Sequence, residues 1–325
     1  MIVDLKKEPI KLSPAFKDYL WGGTRLKTEF GMKSELDKVA EAWELSCHPD
    51  GPSIVASGEC AGMTLADYLQ KAGKSALGTH CEALDSFPVL IKLIDAANKL
   101  SVQVHPDDEY AKRVEHENGK TEMWYVMDCT PGATLIYGFQ HQITKEEFRR
   151  RIEDNTLTEV VNTVPVHKGD VFFIEAGTLH AIGDGILIAE IQQNSNSTYR
   201  VSDYGRLGAD GKPRPLHIEK ALDVTKLAPS GNADRREAPV EHEGCTTTVL
   251  ARCDRFTVTA IDLRCEAYFT ADESSFHALL CTDGDAELRC GSTRLQLVRG
   301  ECAFLPAGCG DYSLCGTGRI LCTTI

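Results

Sequence analysis

Three short stretches carry side chains that could do chemistry together. In "LSVQVHPDDEYA" (100–111), alternation puts Ser101, Gln103 and His105 on one face of a strand and Val102 and Val104 on the other, and Pro106 ends the strand. In "NGKTEMWYVMD" (118–128), an Asn-Gly turn signal precedes a strand on which Lys120, Glu122 and Trp124 share a face. In "GDVFFIEAGTLHAI" (169–182), a glycine-bounded apolar run ends by presenting His180. Each residue alone has a plainer reading: a hydrogen-bonded core histidine, a surface glutamate, a polar strand residue. Together, a polar face turned inward is costly unless its groups find partners, and a metal ion is one. Two imidazoles, a carboxylate and an amide form a nitrogen and oxygen donor set without thiolate. That set suits Zn²⁺, with Mn²⁺ or Fe²⁺ as alternatives, and a catalytic site with room for substrate more than a closed structural one. "GILIAEIQQNSNSTYRVSDYGR" (185–206) adds Arg200 and Arg206 behind an Asn/Ser-rich turn, where a guanidinium can hold a phosphate or an oxyanion through paired hydrogen bonds.

The elements that must position these residues read as short strands divided by Gly, Pro, Asp and Asn, which predicts an antiparallel sandwich or barrel. Helical spacing predicts helices over 64–76 (Thr64 as cap), 144–164 (Thr144 as cap) and 216–227. The polar segment 228–244 reads as a linker, and only strand-like pieces follow it. One of them, "GECAFLPAGCGDYSL" (300–314), overlays the His180 stretch: Gly169 on Gly300, Phe173 on Phe304, Ala176 on Ala307, Gly177 on Gly308. Asp311 takes the place of His180. The pattern resembles the second sequence motif of cupins, which are double-stranded jelly rolls. The expected fold is therefore mainly β: two cupin modules with a few helices attached to the first. Residues 1–235 form a metal-binding domain, and 236–325 a cupin-like β domain kept for packing.

Composition narrows the function. A net charge of −13 argues against nucleic acid and anionic membrane surfaces as partners, so an anionic substrate needs a local basic pocket. No apolar run approaches the roughly 20 residues of a membrane helix. Nine of the thirteen cysteines fall from Cys245 onward, without a CxxC pair, which reads as reduced structural thiols in a cytoplasmic protein.

Taken in order, several segments resemble the type I mannose-6-phosphate isomerases (phosphomannose isomerases) in their short bacterial form. These are "FKDYLWGGTRL", "AEAWELSCHPDGPS", "FPVLIKLIDAANKLSVQVHPDD", "GKTEMWYV", "GTLHAIGDG" and "NSNSTYRVSD". The resemblance implies a zinc enzyme that interconverts mannose 6-phosphate and fructose 6-phosphate through an enediol, with one Zn²⁺ per subunit. It implies Gln103, His105, Glu122 and His180 as ligands and Arg200 as catalytic. Lys120 becomes either a proton shuttle or a substrate-orienting cation, and Lys92, Ser101 and Arg206 become substrate-binding. The phosphorylated hexose is the only partner expected, for a monomer or a homodimer. One departure stands out: where relatives outside the short form carry an aspartate four positions before the arginine, this chain has Asn196, which cannot serve as a carboxylate base. The rival classes are a cupin dioxygenase using Fe²⁺ or Cu²⁺, and a non-enzymatic sugar-sensing cupin. The pocket lysines and Arg200 oppose the first, and the lack of a basic helix-turn-helix opposes the second.

Overall fold

The computed structural model describes Leu5, residues 8–208 and residues 211–325. Its framework is three antiparallel sheets. A six-stranded sheet runs in the order Val171–Ile174, Glu122–Cys129, Ile186–Gln193, Val89–Ala96, Glu41–Leu45 and Ala15–Lys17. A five-stranded sheet runs Tyr199–Ser202, Val102–Val104, His180–Ala181, Thr134–Phe139 and Val161–Pro165. These two face each other as the first jelly roll. The ten-stranded third sheet holds every strand from Val240 onward and also takes in Ile10–Ser13 and Ile54–Val55, with Ile10 opposite Phe304 and Leu12 opposite Cys302. An N-terminal strand thus closes the C-terminal barrel, and the two modules are stitched together by chain crossing between them.

The six-stranded sheet is buried on both faces, and its alternation separates two jobs. Leu93, Ile91 and Val89, with Met123, Tyr125, Leu187, Ala189 and Ile191, share one apolar cluster with Leu250, Val258, Phe276, Phe304 and Leu321 of the C-terminal module. The opposite face carries Lys92, Glu122, Trp124 and Glu190 into the first barrel. There Ile94, Trp124, Val126, Ile186 and Ile188 pack with Leu135 and Tyr137 of the five-stranded sheet and with Ile182 just beyond its His180–Ala181 strand. One face fastens the modules together while the other is free to hold a site.

The repeated glycine pattern corresponds to a repeated structure. Val171–Ile174 and Cys302–Leu305 are equivalent strands, and the glycines before them, Gly169 and Gly300, have φ of +91° and +92°. Gly177 and Gly308 also sit at positive φ, the region that favours glycine. At Gly177 a Cβ would lie 2.8 Å from the Val224 carbonyl oxygen, so the turn that delivers His180 admits no side chain. The second barrel departs where the first carries its polar face. Its interior is filled by Leu279, Leu288, Leu305, Leu314 and Ile320 with five cysteines, and Asp311 is exposed, accepting a hydrogen bond from Thr270.

Thr64 and Thr144 cap the helices Leu65–Ala72 and Lys145–Glu153, as their sequences predict. The helix expected over 144–164 is shorter than its pattern. Asn155 turns left-handed (φ +55°), and Val161–Pro165 leaves as a strand that pairs with Thr134–Phe139. Sheet pairing outweighs local helical spacing there. The 216–227 signal becomes Ile218–Val224, and a further helix, Asp108–Val114, begins at an Asp107 cap just after His105.

If one shared core joins the modules, Ile91→Ala should destabilise the whole chain by about 2–5 kcal/mol, the usual range for such a cavity. Urea unfolding followed by tryptophan fluorescence tests this. A loss under about 1 kcal/mol would show that the site collapses readily or is not a shared core.

Candidate metal centre and active site

Adjacent strands bring the expected donors together. In the five-stranded sheet Gln103 lies opposite His180 on one side and Arg200 on the other. Glu122 opens its strand in the facing sheet, opposite Ile174 and Gln192. His105 follows at the end of the Val102–Val104 strand, and its carbonyl oxygen accepts from the Gly177 N–H at 2.8 Å. The turn before His180 is therefore pinned to the other histidine.

His105, Glu122 and His180 are fully buried, and their ligand atoms all lie within 4.8 Å of one another. His105 Nε2 is 3.5 Å from Glu122 Oε2, and His180 Nε2 is 3.5 Å from Glu122 Oε1. Donor atoms bound at about 2 Å to one tetrahedral ion lie roughly 3.4 Å apart, so the spacing fits a single centre. The tautomers also fit. His105 Nδ1–H donates to the Ser197 carbonyl at 2.8 Å and His180 Nδ1–H to that of Thr178 at 2.9 Å, which leaves both Nε2 lone pairs facing inward. Burial holds both imidazoles below the usual histidine range, His180 to about 4, so they are neutral at pH 7. Neither Glu122 oxygen has a well-formed hydrogen bond. Burial and the neighbouring Glu190 push its carboxyl up to about 7, and a cation is what would return it to the charged form. The Gln103 amide lies 3.4 Å from His180 Nε2, and a half-turn of that amide points its oxygen at the centre. The residues present therefore fit a divalent ion.

A cleft of about 300 Å³ opens above this cluster. Gln103 and Lys120 form its floor, between the cleft and the three buried ligands. Lys120 Nζ is 2.7 Å from Glu122 Oε2 and 3.1 Å from His105 Nε2. Lys92 lies between Glu41 and Glu190, at 3.6 Å and 3.5 Å, and over the Trp43 ring. Although burial alone would lower it, these two carboxylates hold the Lys92 ammonium above its ordinary value, so it stays charged. Burial would likewise raise Glu190, but Lys120 and Lys92 hold it down, and Trp124 Nε1–H donates to it at 2.9 Å. The same Trp124 stands edge-on to the His180 ring, 5.3 Å away.

The rim is cationic. Ser101, Asn196, Thr198, Arg200 and Arg214 line the cleft. Arg200 Nε has no hydrogen-bond partner, and burial followed by Arg214 lowers the affinity of the Arg200 guanidinium for its proton. Arg214 is oriented by Asp203, its Nε donating to Oδ2 at 2.7 Å and Nη2 to Oδ1 at 2.6 Å. Arg206, expected among the substrate-binding residues, is turned elsewhere: it donates to Asp203 and to the Lys99 carbonyl and does not line the cleft. Arg214 stands there in its place. Asn196 does line the cleft, and its amide donates to Asp50 Oδ2 at 2.8 Å, so a carboxylate from another loop sits beside the position that lacks one.

Glu190, Glu41, Asp50 and Arg214 join the expected residues at the site. Glu190 had a signal, being the one charged residue inside the apolar run "GILIAEI". Arg214 had none, because it sits on an irregular loop.

A jelly roll carrying two histidines and a glutamate on facing strands defines a cupin-type metal site under a polar cleft. Comparisons with known proteins are more specific. Residues 10–129 match the family model for the phosphomannose isomerase type I catalytic domain, and residues 246–325 that for the mannose-6-phosphate isomerase cupin domain. The chain is 38% identical over 314 residues to a probable mannose-6-phosphate isomerase of Bacillus subtilis, covering 95% of this chain and 96% of that one. It is 41% identical over 251 residues to a mannose-6-phosphate isomerase of Streptococcus mutans, covering 77% and 78%. The crystal structure of mannose 6-phosphate isomerase from Bacillus subtilis superimposes with a TM-score of 0.90 at 34% identity, over 98% of this chain and 99% of that one. The chain belongs to the type I phosphomannose isomerase family.

Removing a buried imidazole should cost the centre more than removing the weaker amide donor. His180→Ala should cut zinc affinity by more than about 100-fold, beyond the usual loss from an outer-shell change, whereas Gln103→Leu should cost about 10-fold. Competition with a chelating dye measures both. Equal affinity in His180→Ala and the parent would remove His180 from the centre.

Proposed function

We propose that this protein interconverts mannose 6-phosphate and fructose 6-phosphate through an enediol, in the cleft above His105, Glu122 and His180. The observation that carries the reading is the coincidence of a buried N/O donor cluster with a cationic, water-accessible rim. In formal charge, Lys92 and Lys120 face Glu41, Glu122 and Glu190, which leaves one negative charge buried. A divalent ion reverses that sign and, with Arg200 and Arg214, suits a dianionic sugar phosphate rather than an aromatic or neutral ligand.

The donors favour Zn²⁺, one per subunit, held by His105, Glu122, His180 and the Gln103 oxygen. When bound, such an ion acts as a Lewis acid on the substrate oxygens, without a redox step. The chain's own residues supply the rest. Isomerisation moves one proton between C1 and C2, so a proton carrier must reach both carbons, and a cation must face the charge that develops on the oxygens. Lys120 is the group within reach: it touches two ligand atoms and lines the cleft floor, and Glu122 and Glu190 aim it. Arg200, fixed by its backbone N–H to His217 Nδ1 and by Nη1–H to the Pro215 carbonyl, presents the unpartnered part of its guanidinium to the enediolate. Arg214 and Ser101 take the phosphate, and Lys92 holds Glu41 and Glu190 in register beneath the sugar. Asp50, reached through Asn196, supplies a carboxylate at the edge of the cleft.

Among the described residues no helix is long and apolar enough to cross a membrane. The metabolite chemistry supports a cytoplasmic setting. Each chain carries the whole donor set, so a monomer or a homodimer serves equally.

Coupled detection of fructose 6-phosphate tests the activity. Chelator-stripped protein should be inactive and Zn²⁺ should restore it; full turnover without metal would end the proposal. Arg200→Ala should lower kcat by about 100-fold or more, as loss of a positioned oxyanion donor does. Arg214→Ala should chiefly raise KM, by about 10-fold or more, and Arg206→Ala should change it far less, given the roughly 1.5–3 kcal/mol of a charged hydrogen bond. The reverse order would return the phosphate to Arg206.

A further inference from the structure

The cysteines of the C-terminal module divide by environment. Burial pushes the Cys281 and Cys322 thiols up to about 12 and the Cys302 thiol well above its ordinary range, which leaves them protonated and inert. One pair differs. Cys290 ends the His277–Cys290 strand, and Cys309 lies in the turn between Cys302–Leu305 and Gly310–Thr324. Their Sγ atoms are 3.4 Å apart and share a hydrogen bond. That bond, opposed by burial and aided by Arg294, brings the Cys290 thiol down to about 7. Both residues are buried, but the chain on either side of Cys290 reaches the surface: Arg289 and Gly291 line an open cleft with Arg294, Asp311 and Tyr312. Nothing in the isomerase site uses them.

We propose that Cys290 and Cys309 form a peroxide-responsive dithiol that closes to an intramolecular disulfide. The oxidant is a small hydroperoxide, hydrogen peroxide being the simplest. The Cys290 thiolate attacks one peroxide oxygen; an S–O bond forms, the O–O bond breaks, and hydroxide leaves as water after taking a proton. Cys309 then gives up its proton and its sulfur attacks the Cys290 sulfur. An S–S bond forms, the S–O bond breaks, and a second water is released. Two thiols lose two electrons, and one peroxide is reduced to two waters. Cys290 is the attacking residue because the hydrogen bond from Cys309 and the charge of Arg294 favour its thiolate, and Cys309 resolves the sulfenic acid because it is already in contact.

The bond would tie a hairpin end to a turn that also reaches the other module. In that turn Ala307 N–H donates to the Ala76 carbonyl and Gly308 N–H to that of Asp272. The oxidised form is therefore fastened at the seam with the 74–77 segment, away from the metal centre.

The test is peptide mapping of the full-length protein after brief hydrogen peroxide treatment and alkylation, without reduction. The expected result is one peptide pair joined through Cys290 and Cys309, two hydrogens lighter than the free peptides and separated again by dithiothreitol. In Cys309→Ser the joined pair should vanish, and a dimedone adduct should appear on Cys290. Three outcomes overturn the proposal: both residues alkylated after peroxide, either one joined to a different cysteine, or Cys290 passing to sulfinic acid with Cys309 still alkylated. The first measurement uses the parent protein and does not depend on any variant folding.

Discussion

Two backbone carbonyls decide what this protein can be. By accepting Nδ1–H from His105 and His180, Ser197 and Thr178 leave both Nε2 lone pairs pointing at the same buried carboxylate. Glu122 gains too little from the protein itself: its oxygens lack well-formed hydrogen bonds, and the charges of Lys120 and Lys92 do not outweigh burial and Glu190. A buried anion and two lone pairs without sufficient donors make a strained local arrangement, and a divalent cation relieves all three at once. The rest of the first barrel serves to hold that arrangement: the Gly177 turn fixes one histidine against the other, and Trp124 closes off the His180 ring.

Charge around the centre is arranged by depth. Carboxylates and lysines alternate at the cleft floor, and arginines lie at the rim with Asp203 beneath one of them. A protein with a net charge of −13 draws no anion by its overall field. An anionic substrate therefore needs local recognition, and Arg200 and Arg214 face the cleft with too few carboxylates to neutralise them. This sharpens the role of the C-terminal module. It repeats the turn geometry at Gly300 and Gly308 but fills its barrel with leucines and thiols, and it lends the six-stranded sheet an apolar surface to lie on.

The convergence of His105, Glu122 and His180 was legible because strand alternation is a strict rule: Gln103 and Glu122 had to share faces with their polar neighbours, and proline and glycine marked where the strands ended. The repeated glycines were legible for the same reason, since positive φ demands them. Other features followed from long-range packing that no local pattern encodes. The Ile10–Ser13 strand joins a sheet formed almost three hundred residues later. The 144–164 helix stops at Glu153 because Val161–Pro165 finds a strand partner. Choosing between Arg206 and Arg214 required knowing which one Asp203 turns toward the cleft, and both bind the same carboxylate.

Which atoms meet the ion decides between this site and any other in a chain that also offers thirteen cysteines. X-ray absorption at the zinc edge of the metal-loaded protein addresses it directly. The spectrum should show a shell of nitrogen and oxygen at about 2.0–2.2 Å with the multiple-scattering signature of two imidazoles and no sulfur. A sulfur shell near 2.3 Å, or a spectrum without imidazole scattering, would place the metal elsewhere and contradict it.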